Sequence, residues 1–357
     1  MPTASRAPFL SAIVCTRDRA EHLRHALESL CPQTLGRDAF EVVVVDDGST
    51  DATREVALSF SSRLPVRYSF QRDAGLPSAR NHGVFMSRGE VLLFLDDDAV
   101  ADPRLLEVHA EAHRRFPELE VGVLGSTRLA PALAGDPVMR FVADTWGFPI
   151  AYAGLEGGEA LDFTYFAGGG TSCKRSLLLA RGVFNPALRL GCDDVELGFR
   201  LSKRGFNVVY DPRAVSTIVR RVGFDELCRR FEGEGKASFV VGSLHDDEVL
   251  RRWTEVREAG ESWRRFGPAY DLLLRSAREL DRLVRLRLEA RFVIDPADTA
   301  LLHRSYSAAF RASKVKGIVE QAVEMGADLV GDTPPPVQSI RQRSNVSSTV
   351  RPHAQGR

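Results

Sequence analysis

Apolar runs alternate with amphipathic stretches over residues 9–125. Residues 9–15, 40–45 and 91–95 are short and almost wholly apolar, as strands buried on both faces of a helix-covered sheet should be. Residues 66–70 and 121–124 read as two further strands. Between them, Leu23, Leu27 and Leu30 mark one face of a helix that ends near Pro32. Gly48, Ser49, Thr50 and Asp51 supply a turn and an N-cap for a helix reaching about Phe60. Gly75, Leu76, Pro77 and Ser78 turn into another helix, and Pro103 opens one that runs to Phe116. This alternation predicts an α/β fold with a mostly parallel central sheet flanked by helices.

Beyond Ser126 the periodicity weakens. Residues 131–158 mix Pro, Gly and aromatics and read as a long structured loop. Residues 163–166 read as a strand, 174–181 and 195–204 as helices, and 207–210 as the last strand of the main body. From Phe224 the pattern is helical and Arg-rich to about Met325. The expected divisions are residues 1–125, 126–242, a helical region at 243–332, and a tail at 333–357 that is rich in Pro, Ser and Arg and reads as disordered.

Composition removes several function classes. Lys+Arg and Asp+Glu both number 48, so the net charge gives no argument for a nucleic-acid partner. Five cysteines without C-x-x-C spacing fit a reduced, cytoplasmic protein. Residues 1–8 lack a signal peptide's apolar core, and no run approaches a membrane span. The basic, amphipathic run from Arg282 to Arg287 fits a helical cap, the preferred reading, or a peripheral contact at the inner face of the plasma membrane.

The chemistry gathers at strand ends. The run from Val91 to Leu95 enters Asp96, Asp97 and Asp98, at the edge where open α/β sheets hold ligands. Two unit charges about 4 Å apart cost roughly 4 kcal/mol at an effective dielectric near 20, so a cation is expected there. Oxygen-only ligands favour a hard ion, Mg²⁺ or Mn²⁺. The strand period sends Asp96 and Asp98 to one side and Asp97 to the other, which suits Asp98 as metal ligand and Asp96 for ribose or metal-bound water. Asp47 ends a second strand and either caps the turn after it or accepts from a nucleobase or ribose. Arg80 opens a helix turn and offers a bidentate fork to a diphosphate. Asp193 and Asp194 either complement a helix dipole or form a carboxylate pair in which one member gains basicity. Gly168, Gly169 and Gly170 allow close backbone approach to a sugar. Trp146, Phe148 and Tyr152 are either core or a platform for sugar faces. His109 and His113, four apart, read as a solvated helix face.

Four ordered motifs resemble the inverting family 2 glycosyltransferases of GT-A fold over residues 9–242: Val45-Asp46-Asp47-Gly48-Ser49-Thr50-Asp51, Ala79-Arg80-Asn81-His82-Gly83, Leu95-Asp96-Asp97-Asp98, and Asp193-Asp194-Val195-Glu196-Leu197-Gly198-Phe199-Arg200. The resemblance implies transfer from a nucleotide-diphosphate sugar, most simply a UDP-sugar, to a hydroxyl of a saccharide, lipid-linked or small-molecule acceptor, with inversion and metal assistance. It implies Asp194 as base, with Glu196 in reserve, and Asp47 as nucleobase contact. Thr16, Arg17, Arg80, Asp96 and Asp97 fall on the donor side, and Asp98 with Asp96 on the metal. The chain departs from the pattern in Cys15-Thr16-Arg17-Asp18, in Asp193 where Glu is commoner, and in having Val215-Ser216-Thr217-Ile218 where a metal-binding His is frequent. The rivals are a sugar-nucleotide nucleotidyltransferase, which should carry a Gly-rich loop after the first strand, and a non-catalytic sugar-nucleotide-binding protein.

Overall fold

The computed structural model describes residues 7–145, 154–166 and 168–329. The expected platform of Trp146, Phe148 and Tyr152 and the tail 333–357 lie outside the described residues. The chain divides into two compact units, one ending at Gly223 and one starting at Phe224.

The first unit runs β1 (Leu10–Thr16), α1 (Ala20–Leu30), β2 (Phe40–Asp47), α2 (Thr53–Ser59), β3 (Val66–Gln71), α3 (Leu76–Met86), β4 (Val91–Asp96), β5 (Ala99–Ala101), α4 (Leu105–Arg115), β6 (Val121–Leu129), α5 (Pro137–Thr145), β7 (Ala160–Leu161), β8 (Thr171–Lys174), α6 (Arg175–Arg181), α7 (Asp193–Ser202) and β9 (Asn207–Ile218). Among the described residues the sheet order is β3-β2-β1-β4-β8-β6-β9-β5, with β7 beside β9. The first four strands in that order are parallel, as their continuous apolar runs predict. Alternate residues feed two cores: Ala12, Val14, Val42 and Leu93 pack with Leu23, Leu27 and Leu106, while Ile13, Val43 and Leu92 pack with Val84, Leu177 and Leu197. Strand register sets Cys15 opposite Asp96, and Thr16 opposite Asp46, so the polar ends of β1, β2 and β4 share one edge.

The other half is mixed rather than parallel. β8 inserts antiparallel between β4 and β6, pairing Phe94 with Thr171, and β5 runs antiparallel to β9. Four residues or fewer gave β5, β7 and β8 too little periodicity to read. β9 extends to Ile218, well past the expected end at 210. In place of the expected strand at 163–166 stands a 3-10 turn, Phe163–Tyr165: Asp162 accepts from Thr164 N at 2.8 Å, and Phe163 and Phe166, three apart, are both buried. The expected loop at 131–158 contains α5. Asp136 caps it by accepting from Val138 N and Met139 N, and Val138, Met139 and Phe141 are buried.

His109 and His113 are buried, not solvated. Both contact Ser172 Oγ, at 2.8 and 2.9 Å, on the antiparallel strand that local sequence did not reveal. Burial pushes His109 down to about 4 against the opposing charge of Asp211. Burial, reinforced by Lys174, pushes His113 down to about 3. Both imidazoles fold neutral and gain protons when unfolded, so their stabilisation is present above pH 6.5 and is lost on acidification toward 4 and 3. Each should contribute a slope of about 1.4 kcal/mol per pH unit within that window. Urea unfolding at pH 6.5 and 5 should show the loss, and His109→Gln should flatten it.

The second unit is helical: α8 (Phe224–Leu244), α9 (Glu248–Thr254), α10 (Val256–Phe266), α11 (Tyr270–Glu289) and α12 (Pro296–Glu324). α8 and α12 meet backbone to backbone. A Cβ at Gly235 would lie 2.0 Å from Lys314 O, and one at Gly317 would lie 2.0 Å from Glu232 O. Phe224, Phe231, Tyr306 and Phe310 stack beside that crossing. Among the described residues no helix is long and apolar enough to cross a membrane.

Candidate active site

Sheet register assembles the site. The antiparallel entry of β8 carries the turn before it past the end of β4. Gly170 N donates to Phe94 O at 2.8 Å, and Gly125 N donates to Gly170 O at 2.9 Å. Gly168 and Gly170 hold φ of 54° and 86°, the left-handed region that glycine tolerates. A Cβ at Gly169 would lie 2.3 Å from Asp96 Oδ2, and one at Gly168 would lie 3.5 Å from Asp194 Oδ2 and 3.7 Å from Arg80 Nη2. One glycine turn therefore lies where any side chain would meet the β4 carboxylate or the α7 carboxylate.

The three adjacent carboxylates have distinct surroundings. Asp96 is exposed. Asp97 is buried and accepts from Thr16 Oγ1 at 2.7 Å and Arg19 Nη1 at 2.9 Å. Burial raises the Asp97 pKa, and the Arg19 charge opposes the rise. Asp98 accepts from Arg220 Nε at 2.7 Å, with Arg19 Nη1 at 3.8 Å from the same oxygen. The cation expected at this strand end is thus supplied in part by two arginines, neither of them singled out in the sequence. Arg220 stands two residues beyond the observed end of β9, a strand that the sequence pattern ended at 210.

Arg80 Nη1 donates to Asp193 Oδ2 at 2.6 Å, and both side chains are buried. Burial lowers the Arg80 pKa, but Asp193, Asp194 and Asp96 more than offset it, so the group is held above its usual value. Burial likewise raises Asp193, against the pull of Arg80. Asp194 is only half-buried; its Oδ1 accepts from Val195 N at 2.8 Å. The adjacent carboxylates therefore differ: Asp193 is locked to an arginine, and Asp194 looks toward the glycine turn. Glu196 is buried and bonded to Arg200 at 2.8 Å.

Asp47 does not cap the turn after its own strand; Asp46 does, accepting from Ser49 N at 2.8 Å. Asp47 instead accepts from Gln71 Nε2 and Ala74 N through Oδ1 and from Gly75 N through Oδ2, fixing the entry to α3. Arg17 is exposed and paired with Asp73 at 2.7 Å. Among the described residues no group of three or more His, Cys, Asp or Glu side chains is placed to hold a metal ion.

Because Gly169 has an ordinary φ, Gly169→Ala adds no backbone strain and strikes the exposed Asp96 carboxylate alone. Thermal stability should change little, while a ligand that binds through the Asp96 carboxylate should lose about tenfold in affinity, the scale of one charge-assisted hydrogen bond. Calorimetric titration beside a melting curve separates the two effects.

Residues 11–130 match the model of glycosyl transferase family 2. Among curated relatives, validoxylamine A glucosyltransferase of Streptomyces hygroscopicus subsp. jinggangensis is 43% identical over 116 residues, which is 32% of this chain and 28% of that one. The PGL/p-HBAD biosynthesis glycosyltransferase of Mycobacterium tuberculosis is 35% identical over 143 residues, 40% of this chain and 51% of that one. The chain thus spans about half or less of the length of these relatives. A solved mannosyltransferase from Pyrobaculum calidifontis, in complex with GDP-Man and Mn²⁺, superposes with a TM-score of 0.59 at 20% identity, covering 90% of both chains. That likeness establishes the fold as GT-A-like.

Proposed function

We propose that this chain, which carries a family 2 glycosyltransferase region over residues 11–130, transfers a sugar from a nucleotide-diphosphate donor, a UDP-sugar in the simplest case, to an acceptor hydroxyl with inversion. The observation that supports the reading is the glycine turn, where a side chain at Gly169 would run into Asp96 and one at Gly168 would meet Asp194. Donor-side and acceptor-side carboxylates, far apart in sequence, thereby meet at one place.

In this reading Asp194 takes the proton of the attacking hydroxyl. Asp193 cannot share that task while Arg80 holds it; the pair fixes the start of α7 and so the direction of Asp194. Asp96 accepts from the donor ribose. Asp47, braced by Gly75 N, accepts from the nucleobase, and Arg17 lies at the same edge. Thr16 and Asp97 act through each other, holding the end of β4.

This reading offers a divalent cation only two carboxylates, fewer than the three ligating side chains that would mark a metal group among the described residues. Asp98 and Asp96 would hold it, and phosphate oxygens and water would complete its shell, the usual manner for Mg²⁺ with few protein ligands. Such an ion would supply positive charge against the negative charge developing on the leaving group.

The test is a panel of nucleotide sugars, scored by thermal shift with and without Mn²⁺ and by slow donor hydrolysis. One nucleotide class should stabilise the protein, more so with Mn²⁺, and release its sugar to water. Stabilisation without any hydrolysis or transfer favours a non-catalytic binder, and pyrophosphate release from a nucleoside triphosphate and a sugar phosphate favours a nucleotidyltransferase.

A further inference from the structure

α11 packs into the helical unit with one face and leaves the other bare. Ala277, Asp281 and Val284 are buried, and Asp281 accepts from Tyr306 Oη of α12 and from Arg285 Nε at 2.9 Å, which fixes the rotation of the helix. On the opposite side Leu272, Ser276, Glu279, Leu283 and Leu286 are exposed, as is Ala290 just past the helix end. The three leucines are 62%, 51% and 47% exposed, too much apolar surface on one stripe to be scattered chance. These positions recur at alternating intervals of four and three, the seam spacing by which one helix packs along another. At the end of the seam Leu283, Leu286, Ala290 and Phe292 line a groove of about 370 Å³ with Asp298 of α12.

We propose that this seam is an interface with a second copy of the chain, in which the two α11 helices pair antiparallel about a two-fold axis. The seam reads the same in both directions. Antiparallel pairing sets Leu272 against Ala290 of the second copy, Ser276 against Leu286 and Glu279 against Leu283, as a self-complementary contact requires. Leu272 of each copy then enters the apolar groove of the other. The charges on the seam suit a protein and not a lipid bilayer. Glu279 stands in the middle of the stripe, where it accepts from Arg282 Nε at 2.9 Å, and both side chains are exposed. The antiparallel register brings Glu279 opposite Arg282 of the second copy, twice by symmetry, so the charges complement across the axis. A bilayer would bury the same carboxylate in hydrocarbon, which is costly even for a paired charge.

Sedimentation velocity of the full chain should give twice the chain mass at micromolar concentration. Leu283→Glu should sediment as a single chain with an unchanged circular dichroism spectrum, since the altered side chain is exposed. Glu279→Arg and Arg282→Glu should each weaken self-association about tenfold or more, because each sets like charges across the axis. Mixed in equal amounts, those two variants should recover a dimer as tight as the native one, a result that a change within one chain cannot produce. A native chain that stays single at every concentration overturns the proposal, and binding of that single chain to phosphatidylglycerol vesicles would assign the face to a bilayer instead. A dimer that survives Leu283→Glu and both charge variants overturns it equally, since association then uses another surface. Charge variants that weaken association but do not recombine overturn the antiparallel register.

Discussion

Asp194→Asn should lower the transfer rate by about 10²–10⁴, the usual contribution of a positioned general base, while nucleotide affinity stays within about threefold of the native value. The substitution keeps the shape of the side chain and its bond from Val195 N, so α7 should remain in place. Single-turnover transfer beside equilibrium nucleotide binding is the measurement. A rate near that of the native chain would remove Asp194 from the mechanism and direct attention to Glu196, although its bond to Arg200 and its burial make that carboxylate a poor proton acceptor for a solvent-facing hydroxyl. Asp193→Asn is the useful contrast. It breaks the Arg80 pair and should cost stability first and rate second.

Arg80→Met should be the most destabilising of the changes considered, by about 3–5 kcal/mol, because it leaves the Asp193 carboxylate buried without its counter-charge. Both side chains are under a tenth exposed, and Arg80 also lies over the Phe184 ring at 5.3 Å. The double variant Arg80→Met, Asp193→Leu removes both charges and should recover much of the stability lost in urea unfolding. It should not recover transfer, since Arg80 also supplies positive charge beside Asp96 and Asp194. Recovery of stability together with activity would reduce the pair to a structural clamp.

Much of this architecture was readable because its signals are local. The apolar runs at β1, β2 and β4 declare buried strands within a few residues, and carboxylates following such runs declare a ligand edge. β4 ends at Asp96, so a turn and not the strand period sets Asp97 and Asp98, and Asp97 is the buried member of the three. What was misread involved either very short elements or partners remote in sequence. β8 has four residues, and its pairing with β4 turned His109 and His113 from a supposed solvent face into a buried pair around Ser172. α5 was hidden by the Pro and Gly around it, although Asp136 followed by Pro137 is a legible helix start.

By itself the sequence determined the α/β order of elements, the strand ends that carry carboxylates, and the glycines able to approach them, since hydrophobic period and residue type are properties of neighbouring positions. Only the tertiary structure decided how those charges are shared. Arg19 lies 78 residues from Asp97, Arg80 lies 113 from Asp193, and Arg220 lies 122 from Asp98. The first pairing follows from the parallel register of β1 with β4 and the last from β5 against β9, and no local pattern records which distant cation a carboxylate will meet.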